Sequence, residues 1–256
     1  MAIHPTAVVD PGARLGAGVE VGPYAVVGAG VVLGDRCRVD HHASIEGPAE
    51  IGPDNHFFPF SAIGGRTQDL KYAGEPTHLR IGAGNRFREF TTVNRGTAPG
   101  AATVIGDDNL FLAYVHIAHD CRVGSHCVFS NNGTLAGHVV VDDHVILGGL
   151  SAVHQFCRIG RYGMVGGCSK IVQDVPPYCL ADGNPATVRS LNLVGLRRHG
   201  FSTEQIRALR DAQRLLYDGN LNTTQALAKL EEEFPGNPEV SRLVEFVRTS
   251  ERGIIR

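Results

Sequence analysis

The chain contains no tryptophan, two methionines, three lysines and no pair of cysteines at CxxC spacing. Each shortage excludes something. With aromatic residues at 7% and 32 glycines among 256 residues, the composition points to short strands joined by tight turns. A formal net charge of -2 removes any global attraction to nucleic acid or to an anionic membrane, so only a local basic patch could serve such a partner. Six cysteines without a CxxC pair do not make a disulfide scaffold, and reduced thiols are expected. No charged-then-apolar leader opens the chain, and no apolar run approaches the roughly 20 residues that span a bilayer. A soluble cytoplasmic protein without stable membrane insertion is the expectation.

What is present is a repeat of six. From Ile3 an aliphatic or Phe residue recurs at every sixth position through Ile63, the phase resumes at Ile81, Phe87 and Val93, and it runs again from Ile105 to Ile171. Of these 26 positions 22 are aliphatic and four, Phe57, Phe87, Phe111 and Phe129, are aromatic. The next residue is often glycine, as at Gly16, Gly34, Gly106 and Gly160, which predicts corners that need backbone freedom. Four residues after the aliphatic one, small or β-branched side chains dominate, and Cys37, Cys121, Cys127 and Cys157 share this slot, so they are read as core packing. A period of six fits neither a 3.6-residue helix nor a hairpin array. It fits short parallel strands stacked as a solenoid. The pattern [LIV]-G-x-x-[small]-x resembles the left-handed parallel β-helix family, in which three hexads close one triangular coil and members are typically homotrimers.

Two charged, Gly-containing stretches, 64–80 and 94–104, interrupt the pattern without losing its phase and are candidate substrate-binding loops. Pro176 and Pro177 end the repeat. Helical signals follow: Ser202 with Gln205 forms a capping box for a helix over 203–218, Gly219 is a stop, and Asn222 and Asn237 cap two further helices, the last with Pro238 in its first turn. The expected organisation is a mainly β chain, with a β-helix over 1–185 and a C-terminal helical domain over 186–256. Between Arg189 and Arg214 six arginines stand against only Glu204 and Asp211, a cationic surface suited to steering an acidic protein partner.

Half of the twelve histidines lie between His116 and His154. A step of 18 residues carries His119 to Gly137 and then to Gln155, and carries Asp120 to His138, so these groups are predicted to stack along one edge of the prism. The blocks HIAHDC at 116–121, NNGTLAGH at 131–138, VHQFC at 153–157, MVGGCS at 164–169, QDLKYAGEPT at 68–77 and GLRRHGF in the tail resemble the UDP-N-acetylglucosamine 3-O-acyltransferases, which open lipid A biosynthesis. That resemblance implies transfer of a 3-hydroxyacyl chain from acyl carrier protein to the sugar 3-hydroxyl of UDP-N-acetylglucosamine, by direct attack, with neither cofactor nor metal. It implies His119 as general base, Asp120 as the group that orients a His, and the Gly137 N–H as oxyanion donor, an assignment consistent with the chemistry of thioester attack. It further places His116, His138, His154 and Gln155 around the substrates, with Gln68, Asp69 and Lys71 contributing from the first loop. Asn192 and Arg198 match tail positions that hold the nucleotide across a subunit boundary. His199 stands there for another basic residue, Val194 for an acidic one, and Asn94 where the pattern can have His. Gly167 matches the acyl-length ruler, and the lack of a side chain there implies a longer acyl chain.

Three other readings compete. A metal hydratase on the same solenoid needs three convergent imidazoles, whereas the stacked positions His119, Gly137 and Gln155 supply one. The related N-acyltransferase of the same pathway normally carries an extra N-terminal domain, whereas this repeat begins at Ile3. A purely structural or protein-binding solenoid leaves the HIAHDC block and both loops without a role. Whether the acceptor nucleophile is a 3-hydroxyl or a 3-amino group is open, because one base serves both.

Overall fold

The computed structural model describes residues 2–217 and 219–256. The six-residue phase becomes three sheets of 11, 9 and 8 short strands, parallel except for the last strand of the first sheet, and the chain visits them in rotation as far as Ile171. The first sheet starts with Ala2–Ile3, the second with Val8–Val9 and the third with Arg14–Leu15. Up to Ile171 and away from the two insertions, successive strands of a sheet pair in register at a step of 18 residues, as Val128 with Ile146 and His116 with Thr134 do. Across the insertions the step grows to 30, as Ala62 with Thr92, or 24, as Thr92 with His116. This is a left-handed parallel β-helix of triangular section. Its three corners are named edge I (first to second sheet), edge II (second to third) and edge III (third to first).

The aliphatic position of each hexad points inward, because an isolated two-residue strand has no stability without a buried face. Residues from Val21 to Ile171 in this phase are buried, while Ile3, in the open first coil, is 43% exposed. The four Phe fall on successive coils of the first sheet and form a column through the core, stacked at 5.2 Å (Phe57 to Phe87) and 5.0 Å (Phe87 to Phe111) between ring centroids and edge to face at 5.2 Å (Phe111 to Phe129).

The glycine that follows the aliphatic residue serves a different purpose from the one expected. Left-handed backbone occurs two residues later, at side-chain-bearing corners such as Asp120 (φ 60°), His138 (φ 61°) and Phe156 (φ 65°). At Gly34 a Cβ would lie 2.5 Å from Pro53 N, and at Gly16 it would lie 2.6 Å from Asp35 N. Close approach of the next coil, and not torsional freedom, requires glycine there.

The small-residue slot also departs from expectation in the middle of the solenoid. Asn55, Asn85 and Asn109 occupy it, each at most 1% exposed. The Asn85 carboxamide donates to Asn55 Oδ1, Ala83 O and Gly106 O and accepts from Asn109 N and Nδ2, all between 2.9 and 3.2 Å. Asn85→Ala is expected to lower the unfolding free energy by roughly 1–3 kcal/mol for the buried partners it strands, measured by urea denaturation at fixed protein concentration. An unchanged midpoint would mean the ladder is dispensable.

The four cysteines assigned to the same slot are buried, as is Cys179, while Cys168 is exposed. Burial pushes the thiols of Cys121, Cys127 and Cys179 up to about 12 and that of Cys157 up to about 11. Ellman's reagent is therefore expected to titrate at most one thiol in the native protein and all six after denaturation. Rapid reaction of two or more native thiols would show that the slot is open.

The solenoid ends in a hairpin. Cys179–Gly183 continues the first sheet in parallel beside Met164–Val165, and Ala186–Leu191 returns antiparallel to it. The proposed division at 185/186 falls at the turn of this hairpin. Four helices follow: α1 (Leu193–Arg198), α2 (Thr203–Leu216), α3 (Thr223–Glu233) and α4 (Pro238–Arg248). The capping box of Ser202 with Gln205 is formed, Asn222 makes a second with Gln225, and Asn237 caps α4. Helix α2 stops at Leu216 with Tyr217 as its cap, and Asp218, the expected last residue, lies outside the described residues. The last residues strap the two parts together: Ile255 enters the solenoid core while Ile254 packs among the helices. Asp174, 1% exposed, anchors this strap by accepting from Ser250 Oγ (2.7 Å) and Arg158 N (2.8 Å).

Candidate functional site

Edge II carries both insertions and the histidine-rich corners. The first insertion connects Ala62–Gly65 of the second sheet to His78–Ile81 of the third, and the second connects Thr92–Asn94 to Ala102–Ile105. Each therefore replaces an edge II corner. In the next three coils the corresponding corners hold His119 and Asp120, then Gly137 and His138, then His154, Gln155 and Phe156. The rigid 18-residue register makes this stack, because each coil hydrogen-bonds to the next through the same residues.

His119 and Asp120 form a dyad. The imidazole Nδ1–H donates to Asp120 Oδ2 at 2.9 Å, and the two side chains are only 13% and 11% exposed. A carboxylate is an acceptor only, so it fixes the ring proton on Nδ1 and leaves the Nε2 lone pair free to take a proton. Asp120 is itself held. Its N–H donates to Thr103 Oγ1 at 2.9 Å, and the Thr97 N–H donates to both carboxylate oxygens at 3.3 and 3.2 Å. His138 brings Nε2 to 3.8 Å from the same carboxylate, edge-on to His119 and stacked on Phe156.

Gly137 lies directly under the His119 ring. A Cβ there would sit 2.4 Å from Cε1 and 2.5 Å from Nε2. The lack of a side chain at this position makes room for the imidazole itself. The flanking amides of Ala136 and His138 donate to Val153 O and His119 O, whereas the buried Gly137 N–H donates to no acceptor among the described residues. A backbone donor without a partner thus belongs to the residue that packs against the Nε2 edge of the ring.

The neighbouring side chains differ in accessibility. His116 shares a 2.7 Å hydrogen bond with Thr92 Oγ1, and burial followed by the charge of His119 pulls its pKa below the usual imidazole range. That favours the neutral form of His116 beside His119. His154 and Gln155 are exposed at the next corner, and His154 Nδ1 donates to Gln155 O at 3.1 Å. On the first insertion Gln68 and Lys71 are exposed, while Asp69 Oδ1 accepts from Lys71 N at 2.9 Å. Asn94 is buried and donates to Arg66 O at 2.9 Å, bridging the two insertions.

The remaining candidates stand elsewhere on the prism. Gly167 occupies edge I, where a Cβ would first meet Gly149 O of the preceding coil at 3.4 Å, an ordinary contact distance, so the chain itself would tolerate a side chain there. Asn192 lies on edge III, 4% exposed, with Oδ1 capping Gly195 N and Nδ2 bound to Tyr162 O, both at 3.0 Å. Arg198 and Val194 are exposed, and His199 packs 5.1 Å from the Tyr162 ring and 4.8 Å from His144. One chain therefore spreads the candidates over three edges, and only the edge II group is brought together. Thr92, Thr97 and Thr103, which complete that group, were missed by sequence reasoning. Carrying the hexad phase across the second insertion would have put Thr92 opposite His116, as the strand register does. Nothing local marks Thr97.

His119, Asp120 and His138 also offer potential ligand atoms within 4.8 Å of one another. Two imidazoles and a carboxylate are more than the sequence argument allowed a metal. The 2.9 Å Nδ1–H to Oδ2 hydrogen bond occupies the His119 nitrogen that faces this cluster.

Two family models match the chain: bacterial transferase hexapeptide (six repeats) over residues 102–137, and UDP-N-acetylglucosamine O-acyltransferase, domain 2, over residues 174–255. Among solved structures, LpxA from Acinetobacter baumannii is 44% identical, covers 100% of both chains and superposes with a TM-score of 0.97. UDP-N-acetylglucosamine O-acyltransferase from Moraxella catarrhalis is likewise 44% identical over 100% of both chains, with a TM-score of 0.96. The Arabidopsis UDP-N-acetylglucosamine acyltransferase is 38% identical over 99% of this chain and 100% of its own, at a TM-score of 0.90.

Proposed function

Because the chain belongs to the UDP-N-acetylglucosamine acyltransferase family and is an acyltransferase, we propose that it moves a 3-hydroxyacyl group from acyl carrier protein to the glucosamine 3-hydroxyl of UDP-N-acetylglucosamine, the opening step of lipid A synthesis. The observation that carries this reading is the His119 ring, with Nδ1–H on Asp120 and Nε2 beside the unpartnered Gly137 amide. His119 Nε2 removes the hydroxyl proton as the sugar oxygen adds to the thioester carbonyl. The Gly137 N–H receives the negative charge that develops on the carbonyl oxygen. Collapse of the tetrahedral intermediate breaks the C–S bond, and the carrier thiolate takes the proton back from the imidazolium. No acyl-enzyme forms.

His116, His138, His154 and Gln155 line the track of the substrates along edge II, with Gln68, Asp69 and Lys71 reaching the sugar nucleotide from the first insertion. Asn192, Arg198 and His199 on edge III and Gly167 on edge I join the site when copies pack side by side, so the proposal includes a homotrimer. The separation of these residues over three edges of one prism supports it. The exposed arginines Arg197, Arg198, Arg207 and Arg210 supply the cationic surface for the acidic carrier protein. No described helix is long and apolar enough to cross a membrane, and the cytoplasmic placement belongs to this proposal. With Gly167 as the ruler, a longer 3-hydroxyacyl chain is expected over the shortest class.

The test is mass spectrometry of the product formed from UDP-N-acetylglucosamine and a mixed set of 3-hydroxyacyl carrier proteins. A single O-acylated sugar nucleotide bearing a longer chain is expected. No acylated product would sink the reaction assignment, and preference for the shortest donor would sink the role of Gly167.

A further inference from the structure

The two insertions do more than border the dyad. Thr67, 9% exposed on the first, places its hydroxyl 2.8 Å from that of Thr97 on the second, 30 residues away. Thr67 Oγ1 also accepts from Asp69 N at 3.1 Å, and Asp69 Oδ1 in turn accepts from Lys71 N at 2.9 Å. On the other side, the Thr97 N–H donates to both oxygens of Asp120, which receives the Nδ1 proton of His119. An unbroken sequence of hydrogen bonds thus runs from Lys71 through Asp69, Thr67 and Thr97 to Asp120 and His119.

We propose that Thr67 and Thr97 are positioning residues that couple the first insertion to the dyad, so that sugar nucleotide held by Gln68, Asp69 and Lys71 sets the aim of His119 at the reacting hydroxyl. This rests on the acyl-transfer reading above. Neither threonine touches the reacting atoms; each acts through Asp120. The hydroxyl pair is the one side-chain to side-chain hydrogen bond between the two insertions among the described residues, and it lies immediately before the segment that carries the nucleotide contacts. Other ties, from Arg95 N to Gly65 O and from Gly100 N to Pro76 O, hold the backbones together without it. Losing the pair therefore leaves the loops folded and relaxes the point where Thr97 meets the carboxylate. Positional errors near 1 Å at a base cost on the order of 10²-fold in rate, so a slacker link is expected to cost about tenfold.

The experiment compares T67V, T97V, the double variant, T67S, T97S and H119A in one steady-state assay of the intact protein, with melting curves for each. Valine keeps the shape and removes the hydroxyl. In each valine variant kcat is expected to fall about tenfold while KM for the acyl donor stays within about twofold. The double variant should be no worse than T67V alone, because T67V already removes the shared hydroxyl contact together with the acceptor for Asp69 N. Serine at either position should restore most of the rate. Should valine at 67 prevent folding, T97V and T97S carry the test alone. Full kcat in the valine variants with H119A inactive would overturn the coupling and leave the base intact. Independent losses that multiply in the double variant would overturn it as well. If H119A matches the wild type, the acyl-transfer reading fails and the coupling with it.

Discussion

His119→Ala is expected to lower kcat by about 10²–10⁴, with KM for the sugar nucleotide changed little. The expectation follows from geometry. The ring is fixed by one hydrogen bond from Nδ1 to Asp120 at 2.9 Å, sits 13% exposed on a rigid corner, and presents Nε2 on the side that faces Gly137. A group that accepts a proton only as the transition state forms contributes to turnover and not to ground-state affinity. Steady-state assay of sugar acylation measures this, with the melting temperature as control for folding. The corner places no other described imidazole equally well. His138 is 3.8 Å from the carboxylate, and His116 is half-buried with its Nδ1 engaged by Thr92 Oγ1. Turnover near the wild-type rate would mean that His119 is not the base.

Gly137→Ala should be nearly as damaging, a large effect for one methyl group. The new Cβ would lie 2.4 Å from Cε1 and 2.5 Å from Nε2 of His119, closer than non-bonded atoms approach. Either the ring leaves the Asp120 carboxylate or the corner moves, and the second option carries the amide donor away with it. A loss of about 10²–10³ in kcat is expected. Combining the change with His119→Ala separates the two causes. With the imidazole gone the methyl group has room, so the double variant should be no slower than His119→Ala alone if the clash is what matters. A further tenfold or greater drop would assign the damage to the amide. Wild-type turnover in Gly137→Ala would sink the proposed geometry altogether.

How much of this was legible beforehand depends on how local each signal is. Hexad positions such as Val21, Phe57 and Ile171 reveal the solenoid because the strands from Glu20–Val21 to Lys170–Ile171 are short and bury the same phase of the repeat. Helix caps at Ser202, Asn222 and Asn237 were equally readable, since each satisfies amides within three residues of itself. The stacking of His119 over Gly137, and of His138 beside Asp120, followed from the same period. The glycines were placed correctly for the wrong reason: their need arises from the neighbouring coil, which a single hexad does not contain. The Asn55, Asn85 and Asn109 ladder was missed because polar side chains in an apolar slot only make sense when the next coil offers partners.

The sequence alone therefore determined the period, the coil and the ridge on which the dyad stands, because these are set by contacts repeated at one fixed spacing. Only the tertiary structure decided how the two insertions fold back so that Thr97 and Thr103 grip Asp120, that Gly137 makes room for the imidazole, and that Gly167 and Asn192 stand on other edges than His119. Those relations join residues at irregular separations, through hydrogen bonds and excluded volume that exist only once the coils are stacked.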